Sequence, residues 1–266
     1  MRGLEPKPPA GVRYERDGPL LRAVGVRRGY ISGPRDVGVT GAELDRLIAR
    51  QRDYFAGLGQ AVAWQTRAHD EPADLPARLR AAGFVAGEER TVLIGLAAEL
   101  ATAPVVPGGV ALRWVTADGD MHRIAALQSA VWGQDWGQDW GWLGENLIGR
   151  IAAAPDAVAV LVAEAGGTVV SAAWLVFVQP GADGFARLLG GSTQPQWRGR
   201  GIYRALVAAR AQRAAARGVK YLQVDASADS APILRRLGFR AVTTTTAYVW
   251  TPHHPAVSRD EAAART

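Results

Sequence analysis

Apolar and polar positions alternate with two different periods along this chain, and the switches between those periods mark its elements. Residues 1–18 (MRGLEPKPPAGVRYERDG) carry prolines and charges without an apolar core and read as a loose arm. Residues 20–31 (LLRAVGVRRGYI) alternate roughly every second position and predict one strand or two. Residues 40–59 (TGAELDRLIARQRDYFAGLG) have the spacing of an amphipathic helix. Thr40 is placed to cap it, with Glu43 three residues on, the spacing of a capping box. A strand (AVAWQTRA), a short helix stopped by Gly83 (DLPARLRAAGF) and a second strand (RTVLIGLA) follow. Residues 98–109 (AELATAPVVPGG) are rich in Ala, Pro and Gly and read as a linker.

Beyond the linker the pattern predicts a strand (VALRWVTA), a helix over residues 118–132, a helix over 143–153 and a hairpin over 157–178 whose EAGGT turn supplies positive-φ residues. A third strand (GFARLLGGST) leads into STQPQWRGRG and a helix over 202–217 that stops at Gly218. The strand KYLQVDA, a short helix ended by Gly238 and the β-branched run AVTTTTAYVW complete the pattern before a tail over 251–266. The segment LPARLRAAGFVAGEERTVLIG echoes SAPILRRLGFRAVTTTTAYVW, each a short helix, a Gly-Phe stop, a polar bend and a β-rich run. Two related units in tandem is the simple reading. A helix–Gly–Phe–strand step is also common in α/β chains.

Composition narrows the chemistry. The 266 residues allow one large domain or two small ones, and 48% are hydrophobic, enough for a sizeable core. The net charge of +6 favours an anionic partner. All but two of the 31 basic residues are arginine and they are dispersed, which argues against nucleic acid or membrane as that partner. With no cysteine, disulfides, thiolate zinc sites and cysteine nucleophiles are excluded. His69, His122, His253 and His254 show no metal-binding spacing, so no metal is expected. The N-terminus is not a signal peptide and no apolar run approaches the ~18 residues of a membrane span, so a cytoplasmic protein is expected, as a monomer or homodimer.

The densest charge sits beside the most flexible residues. Gly199 and Gly201 lie among Arg198, Arg200 and Arg204 where the helix after residue 201 begins. A helix start leaves N–H groups unpaired and carries the positive end of the dipole, so it receives phosphate. Glycines let the phosphate approach the main chain and permit positive φ. The stretch therefore reads as a diphosphate site. A P-loop is excluded because no Gly-Lys pair exists, and the dinucleotide fingerprint lacks its third glycine. The pattern that fits is Gln-x-x-Gly-x-Gly, here Gln196 to Gly201.

With this loop after LLGGSTQP, the helix IYRALVAARAQRAAARG, the strand KYLQVDAS and the stop LRRLGF, residues from about 109 to 250 resemble a GCN5-related N-acetyltransferase (GNAT) domain. The resemblance implies an α/β fold with a mixed, mostly antiparallel sheet flanked by helices. It implies acetyl-CoA as co-substrate, held by Arg198, Gly199, Arg200, Gly201, Ile202, Tyr203 and Arg204 at the pyrophosphate and by Gly191, Ser192 and Thr193 along the pantetheine, with Ser227 near the same arm. Arg210, Arg213 and Arg217 read instead as a solvated basic face. The expected division is a degenerate GNAT-like unit over 1–100 that does not itself bind CoA, a catalytic domain over 109–250 and the tail. Gly190 and Gly191 suit a bulge that splays their strand from KYLQVDA and opens a slot for the thioester.

The implied function is transfer of acetyl to the amine of a small molecule such as an amino acid, an amine or an antibiotic-like compound. The alternatives are a protein or peptide N-terminal acetyltransferase and an acyl-CoA-binding sensor of weak activity. Backbone N–H groups of Ser192 and Thr193 would serve as oxyanion donors. The usual tyrosine acid of the family falls on Leu234, which cannot serve. Asp225 is the candidate base, with a strand-end cap as its alternative role, and Tyr203 and Tyr248 are alternative proton donors. In VWGQDWGQDWGW, residues 131–142, Trp136, Trp140 and Trp142 are placed to form an aromatic wall, and Asp135, Asp139 and Glu145 to attract an ammonium group. A flexible loop whose tryptophans plug a groove is the other reading of that segment.

Overall fold

Strands form where β-branched and apolar residues cluster, and helices where Ala, Leu, Arg and Glu keep an apolar face in register. In chain order the first elements are β1 (Arg13–Asp17), β2 (Leu20–Val24), β3 (Gly29–Ser32), α1 (Gly41–Gly57), β4 (Val62–Arg67), α2 (Leu75–Ala81) and β5 (Val85–Ala86). There follow β6 (Arg90–Leu96), α3 (Ala97–Leu100), β7 (Val110–Val115), α4 (Asp118–Trp136), α5 (Gly141–Ala153), β8 (Val158–Ala165) and β9 (Thr168–Phe177). The last are β10 (Phe185–Thr193), α6 (Ile202–Ala216), β11 (Tyr221–Ala226), α7 (Ser230–Arg236) and β12 (Arg240–Trp250). The structure, a computed structural model, describes residues 11–25, 28–136, 140–178 and 184–252, and the side chains of all of these except 134–136.

Three local expectations change. Residues 13–17 are not part of a loose arm: they form β1, antiparallel to β2, with Arg13 opposite Val24 and Asp17 opposite Leu20. The capping box does not close, because the Thr40 side chain makes no capping hydrogen bond and the Glu43 N–H bonds the Thr40 carbonyl oxygen instead. The expected linker begins with the helical turn α3, whose Ala97 and Leu100 are buried.

The chain divides into two compact units, and their limits differ from the halves read as 1–100 and 109–250. One unit holds Val12–Gly87 together with residues 246–252; the other holds Glu88–Thr245. Each unit thus contains a strand from the far side of the linker. In the first, the end of β12 joins β4 and pairs with β5, Tyr248 opposite Ala86 and Val249 opposite Val85. Its core gathers Leu20, Ile31, Leu44, Ile48, Phe55, Trp64, Leu79 and Phe84 with Tyr248.

In the second unit the sheet runs β12-β6-β11-β10-β9-β8-β7. β6 sits between β11 and the beginning of β12, antiparallel to both. Leu93 of β6 is fully buried among Leu222, Leu234 and Phe239. Burying a leucine contributes ~2 kcal/mol, so β6 belongs here energetically as well as by hydrogen bonding. Among the described residues of this sheet β10 and β11 are the one parallel pair, and α6 makes their crossover. The sheet has two covered faces. Ala186, Leu188, Leu222 and Ala226 pack with α6 and α7 on one; Val160, Val176 and Trp174 pack with Met121, Ile124, Leu143 and Leu147 of α4 and α5 on the other.

Candidate functional site

β10 and β11 pair only at their beginnings, Phe185 with Tyr221, Ala186 with Leu222 and Arg187 with Gln223. Beyond that point β10 runs on to Thr193 and β11 to Ala226 with no further pairing between them. The cause lies in β10, which shifts register against β9 between Leu189 and Ser192. Gly190, at φ 63, is required there: a Cβ would lie 1.8 Å from Cζ3 of Trp174. Two side chains hold the bulge from opposite faces. From α4, Gln128 Nε2 donates to the Gly190 carbonyl oxygen at 2.7 Å. From α6, Arg210 Nη1 donates to the carbonyl oxygens of Leu189 at 3.4 Å and Trp174 at 3.3 Å, and its Nε to that of Leu206 at 3.0 Å.

Arg210 is therefore not part of a solvated basic face; it is 1% exposed. Burial lowers its guanidinium to about 10. Of the other two arginines expected there, Arg213 lies over the Trp114 ring at 4.3 Å and Arg217 over Phe177 at 4.4 Å. The sequence singles out neither Gln128 nor Trp174, and it assigns Arg210 to solvent. A signal existed only for Arg210, which falls four residues after the buried Leu206, on the stripe of α6 that meets the sheet.

The glycine-arginine loop closes on this divergence. After β10, residues Pro195–Trp197 make one 3₁₀ turn, Gly199 takes φ 74, and Gly201 caps α6 at φ 86 in the left-handed region. A Cβ on Gly199 would meet nothing within 4 Å, so main chain there faces open space. The first intrahelical bond runs from the Ala205 N–H to the Gly201 carbonyl oxygen, and the N–H groups before it have no acceptor within the helix. The three arginines differ. Arg198 Nε donates to the Thr193 carbonyl oxygen at 3.1 Å and ties the loop to the strand end. Arg200 stacks over Trp197 at 4.8 Å. Arg200, Gly201 and the exposed Arg204 line a pocket of about 490 Å³, with Glu99, Val105 and Leu237 on its other walls.

Gly191, Ser192 and Thr193 lie on the diverging part of β10. Ser171 Oγ donates to the Ser192 carbonyl oxygen at 2.6 Å and shares a 2.8 Å hydrogen bond with Thr193 Oγ1. Ser192 Oγ is buried with no hydrogen-bond partner among the described residues. Tyr203 reaches over this strand: a Cβ on Gly191 would be 2.8 Å from its Cε2. Its hydroxyl interacts with Ser230 at the start of α7, and Ser230 shares a 3.1 Å hydrogen bond with Ser227. Burial raises the Tyr203 phenol above its usual value, against the opposing effects of Arg210 and Ser230. Leu234 is fully buried in the core. Tyr248 belongs to the other unit, in its core.

Asp225 is on the opposite face of the sheet. Leu222, Val224 and Ala226 pack toward α6 and α7, so Tyr221, Gln223 and Asp225 face α4 and α5. Asp225 Oδ1 accepts from Gln223 Nε2 at 3.1 Å, and its Oδ2 lies 3.9 Å from Arg187 Nη2. Of the tryptophan segment, Trp140 and Trp142 stack with ring centroids 6.4 Å apart. Glu145 points outward, 73% exposed, 3.5 Å from His122 Nε2, and is not brought to the sheet. The side chains of Asp135 and Trp136, and all of Asp139, lie outside the described residues, as do His253 and His254.

The first unit has a parallel pair of its own, β3 with β4, from Gly29 opposite Val62 to Ile31 opposite Trp64. Past it the chain stitches itself together. Asp36 bridges Glu71, the Glu71 N–H donates to the Arg35 carbonyl oxygen at 2.7 Å, and the Val37 N–H donates to that of Glu71 at 3.2 Å. An open concavity of about 660 Å³ elsewhere in this unit is lined by Arg16, Asp17, Arg22, Arg46, Arg50 and Tyr54. Of its two carboxylates, Asp17 is already held by Arg22, Arg50 and Gln51, and Asp53 by Arg52. Among the described residues no group of acidic or histidine side chains is arranged to hold a metal ion, and no helix is long and apolar enough to cross a membrane.

Residues 121–239 match the profile of the acetyltransferase (GNAT) family. No curated protein is significantly similar in sequence. Among solved structures the chain is similar to a GCN5-related N-acetyltransferase from Kribbella flavida, at 18% identity over 92% of this chain and 91% of that one, TM-score 0.66. It is similar to a functionally unknown conserved protein from Staphylococcus epidermidis, at 13% identity over 92% and 95%, TM-score 0.66. A tandem GNAT protein from the clavulanic acid biosynthesis pathway matches at 15% identity over 92% and 85%, TM-score 0.61. At these identities the likeness is one of fold, and it extends through both units.

Proposed function

We propose, from the match of residues 121–239 to the acetyltransferase (GNAT) family, that the chain is an acetyl-CoA-dependent N-acetyltransferase whose acceptor is the amine of a small molecule. The observation that carries this reading is the bare main chain at Gly199 and Gly201, at the start of α6 and beside a pair of strands that part. Uncovered N–H groups and the positive end of the dipole suit a diphosphate, and Arg200 and Arg204 add charge at the pocket rim. The parted strands and the unpartnered Ser192 hydroxyl suit an amide-bearing arm that enters between β10 and β11. Gly191, Thr193 and Ser227 complete that channel, and Arg198 acts through its hold on Thr193.

Bound acetyl-CoA supplies an acetyl group activated as a thioester. The chain must supply a neutral amine, a proton for the departing sulfur and dipoles for the carbonyl oxygen. Asp225, aligned by Gln223 and Arg187, accepts the proton that the amine loses as its nitrogen bonds the acetyl carbon. Tyr203 donates to sulfur as the carbon–sulfur bond breaks, in place of Leu234, and the Ser230–Ser227 hydroxyls return its proton. A phenol held above its usual range is protonated at neutral pH, which suits a donor. Isothermal titration with acetyl-CoA and thiol release with a panel of amines test the reading. Saturable binding with amine-dependent release is expected; absence of binding refutes it.

A further inference from the structure

We propose that Arg210 is a positioning residue for acyl transfer: its buried guanidinium acts through Tyr203 and stabilises the phenolate left when that phenol gives its proton to the departing sulfur. The inference rests on the acyl-transfer reading above, with Tyr203 as proton donor, and adds the charge that favours the donation.

The hydrogen bonds of Arg210 do not require its charge. The residue lies within α6 and is 1% exposed. Among the described residues its hydrogen bonds end on main-chain carbonyl oxygens, those of Leu206, Trp174 and Leu189, and no carboxylate pairs with it. The two bonds that reach the sheet are long, at 3.3 and 3.4 Å, and a neutral amide could make them. A buried guanidinium without a counter-ion is costly to desolvate. Support of the bulge therefore accounts for a donor at this position but not for a positive charge.

The ionisable group on which this charge acts is Tyr203. The two residues are seven apart on α6 and so lie on one stripe of the helix. They reach β10 on either side of Gly190: Arg210 at the Leu189 carbonyl oxygen, and Tyr203 over Gly191, where an added Cβ would lie 2.8 Å from its Cε2. The neighbours of the phenol on the other elements are uncharged. Ser230 of α7 meets its hydroxyl and Gly191 of β10 its ring, while Asp225 of β11 is on the opposite face of the sheet. Among the described residues Arg210 is the charged group that acts on the phenol.

As the carbon–sulfur bond breaks, its electron pair stays on sulfur, which takes the Tyr203 proton, and the negative charge passes to the phenol oxygen. A phenolate sheltered from water is costly. Beside a guanidinium held in the same low-dielectric space it becomes half of an ion pair, so the acid is strengthened as it donates. Burial keeps the phenol protonated, and Arg210 opposes that effect. Ser230 and Ser227 relay a proton from solvent back to the phenolate.

The test is a double-mutant cycle at neutral pH on wild type, Tyr203→Phe, Arg210→Gln and the double variant. Thiol release from acetyl-CoA with the most active amine of the panel gives kcat and KM, and calorimetry gives acetyl-CoA affinity. Arg210→Gln should lower kcat by at least about ten-fold while KM and acetyl-CoA affinity stay within about three-fold. In the Tyr203→Phe background the same change should cost less than about two-fold, because the group through which Arg210 acts is gone. Arg210→Lys, which keeps the charge and loses the fork, should retain more activity than Arg210→Gln, which keeps a donor and loses the charge. Losses that multiply independently, or glutamine serving as well as lysine, would overturn the proposal and leave Tyr203 as donor. So would acetyl-CoA affinity that falls in step with kcat in both Arg210 variants, the mark of a collapsed bulge. An unchanged kcat in Tyr203→Phe would overturn the proposal and the donor assignment together. Absence of acetyl-CoA binding by the wild-type protein would instead refute the acyl-transfer reading itself.

Discussion

Gly201→Asp separates the fold from the function of the loop. The residue caps α6 at φ 86, where an L-residue costs ~1–2 kcal/mol, less for Asp than for most. A new Cβ would lie 3.5 Å from Arg204 Nη2 and 4.0 Å from the Val105 carbonyl oxygen, ordinary contacts with room for both. A carboxylate at a helix N-terminus returns roughly 0.5 kcal/mol through the dipole. The net loss of stability is thus ~1 kcal/mol, which lowers Tm by about 2–4 °C in a protein of this size. The effect on a diphosphate is larger. A carboxylate about 5 Å from a phosphate charge, at an effective dielectric constant of about 20, costs ~3 kcal/mol. That is roughly a hundred-fold in Kd. Isothermal titration of acetyl-CoA and a thermal melt measure both quantities on one preparation. Gly201→Ala isolates the backbone contribution and should lose less than about ten-fold in affinity. Wild-type affinity in Gly201→Asp would show that the diphosphate does not rest on this main chain. A melt lowered by much more than the stated interval would show that the space beside Gly201 has been misjudged.

Tyr203→Phe should lower kcat by about 10²-fold with little change in acetyl-CoA affinity, as loss of a general acid does; stopped thiol-release assays measure it, and an unchanged kcat removes the phenol from the chemistry. For Arg210, burial lowers the folded pKa to about 10, below the ordinary arginine value, so the folded state holds this proton less tightly than the unfolded chain and gains stability as pH rises above about 10. The gain is ~3 kcal/mol and should vanish in Arg210→Met, read by urea unfolding above that pH. Gly190→Ala must move Trp174 and strain a positive φ, a loss of ~3 kcal/mol that Trp174→Leu should partly relieve in denaturant titrations. Asp17 is held below its usual range, chiefly by Arg50 with help from Gln51 and Arg22, so its contribution is present above about pH 4 and lost as pH falls through the lowered value. Asp17→Asn should flatten the acid limb of stability without altering acetyl-CoA binding.

Much of the site was legible in the chain because its logic is local. Gly199 and Gly201 are needed for their own backbone angles, and the helix after them is announced by a run of Ala and Leu. The Gly190-Gly191 pair likewise implied the bulge, since few residues tolerate such a position. Leu234 could be placed by counting back from Gly238, and Asp225 by its place on the strand that follows the long helix.

What escaped the sequence depends on partners distant along the chain. Period alone assigned β6 and the end of β12 to the nearer halves, yet each lies in the other unit, because a strand is placed by the edge that satisfies its hydrogen bonds and by the core that covers its side chains. Arg210 read as a solvated charge because a helix wheel does not reveal that carbonyl oxygens of Leu189 and Trp174 await a donor. The amino-acid order determined the elements, the glycine loop and the family resemblance, all set by interactions a few residues in range. The tertiary structure decided which strand lies beside which, and hence which charges meet where β10 and β11 part, because those choices are made by burial and pairing over long separations.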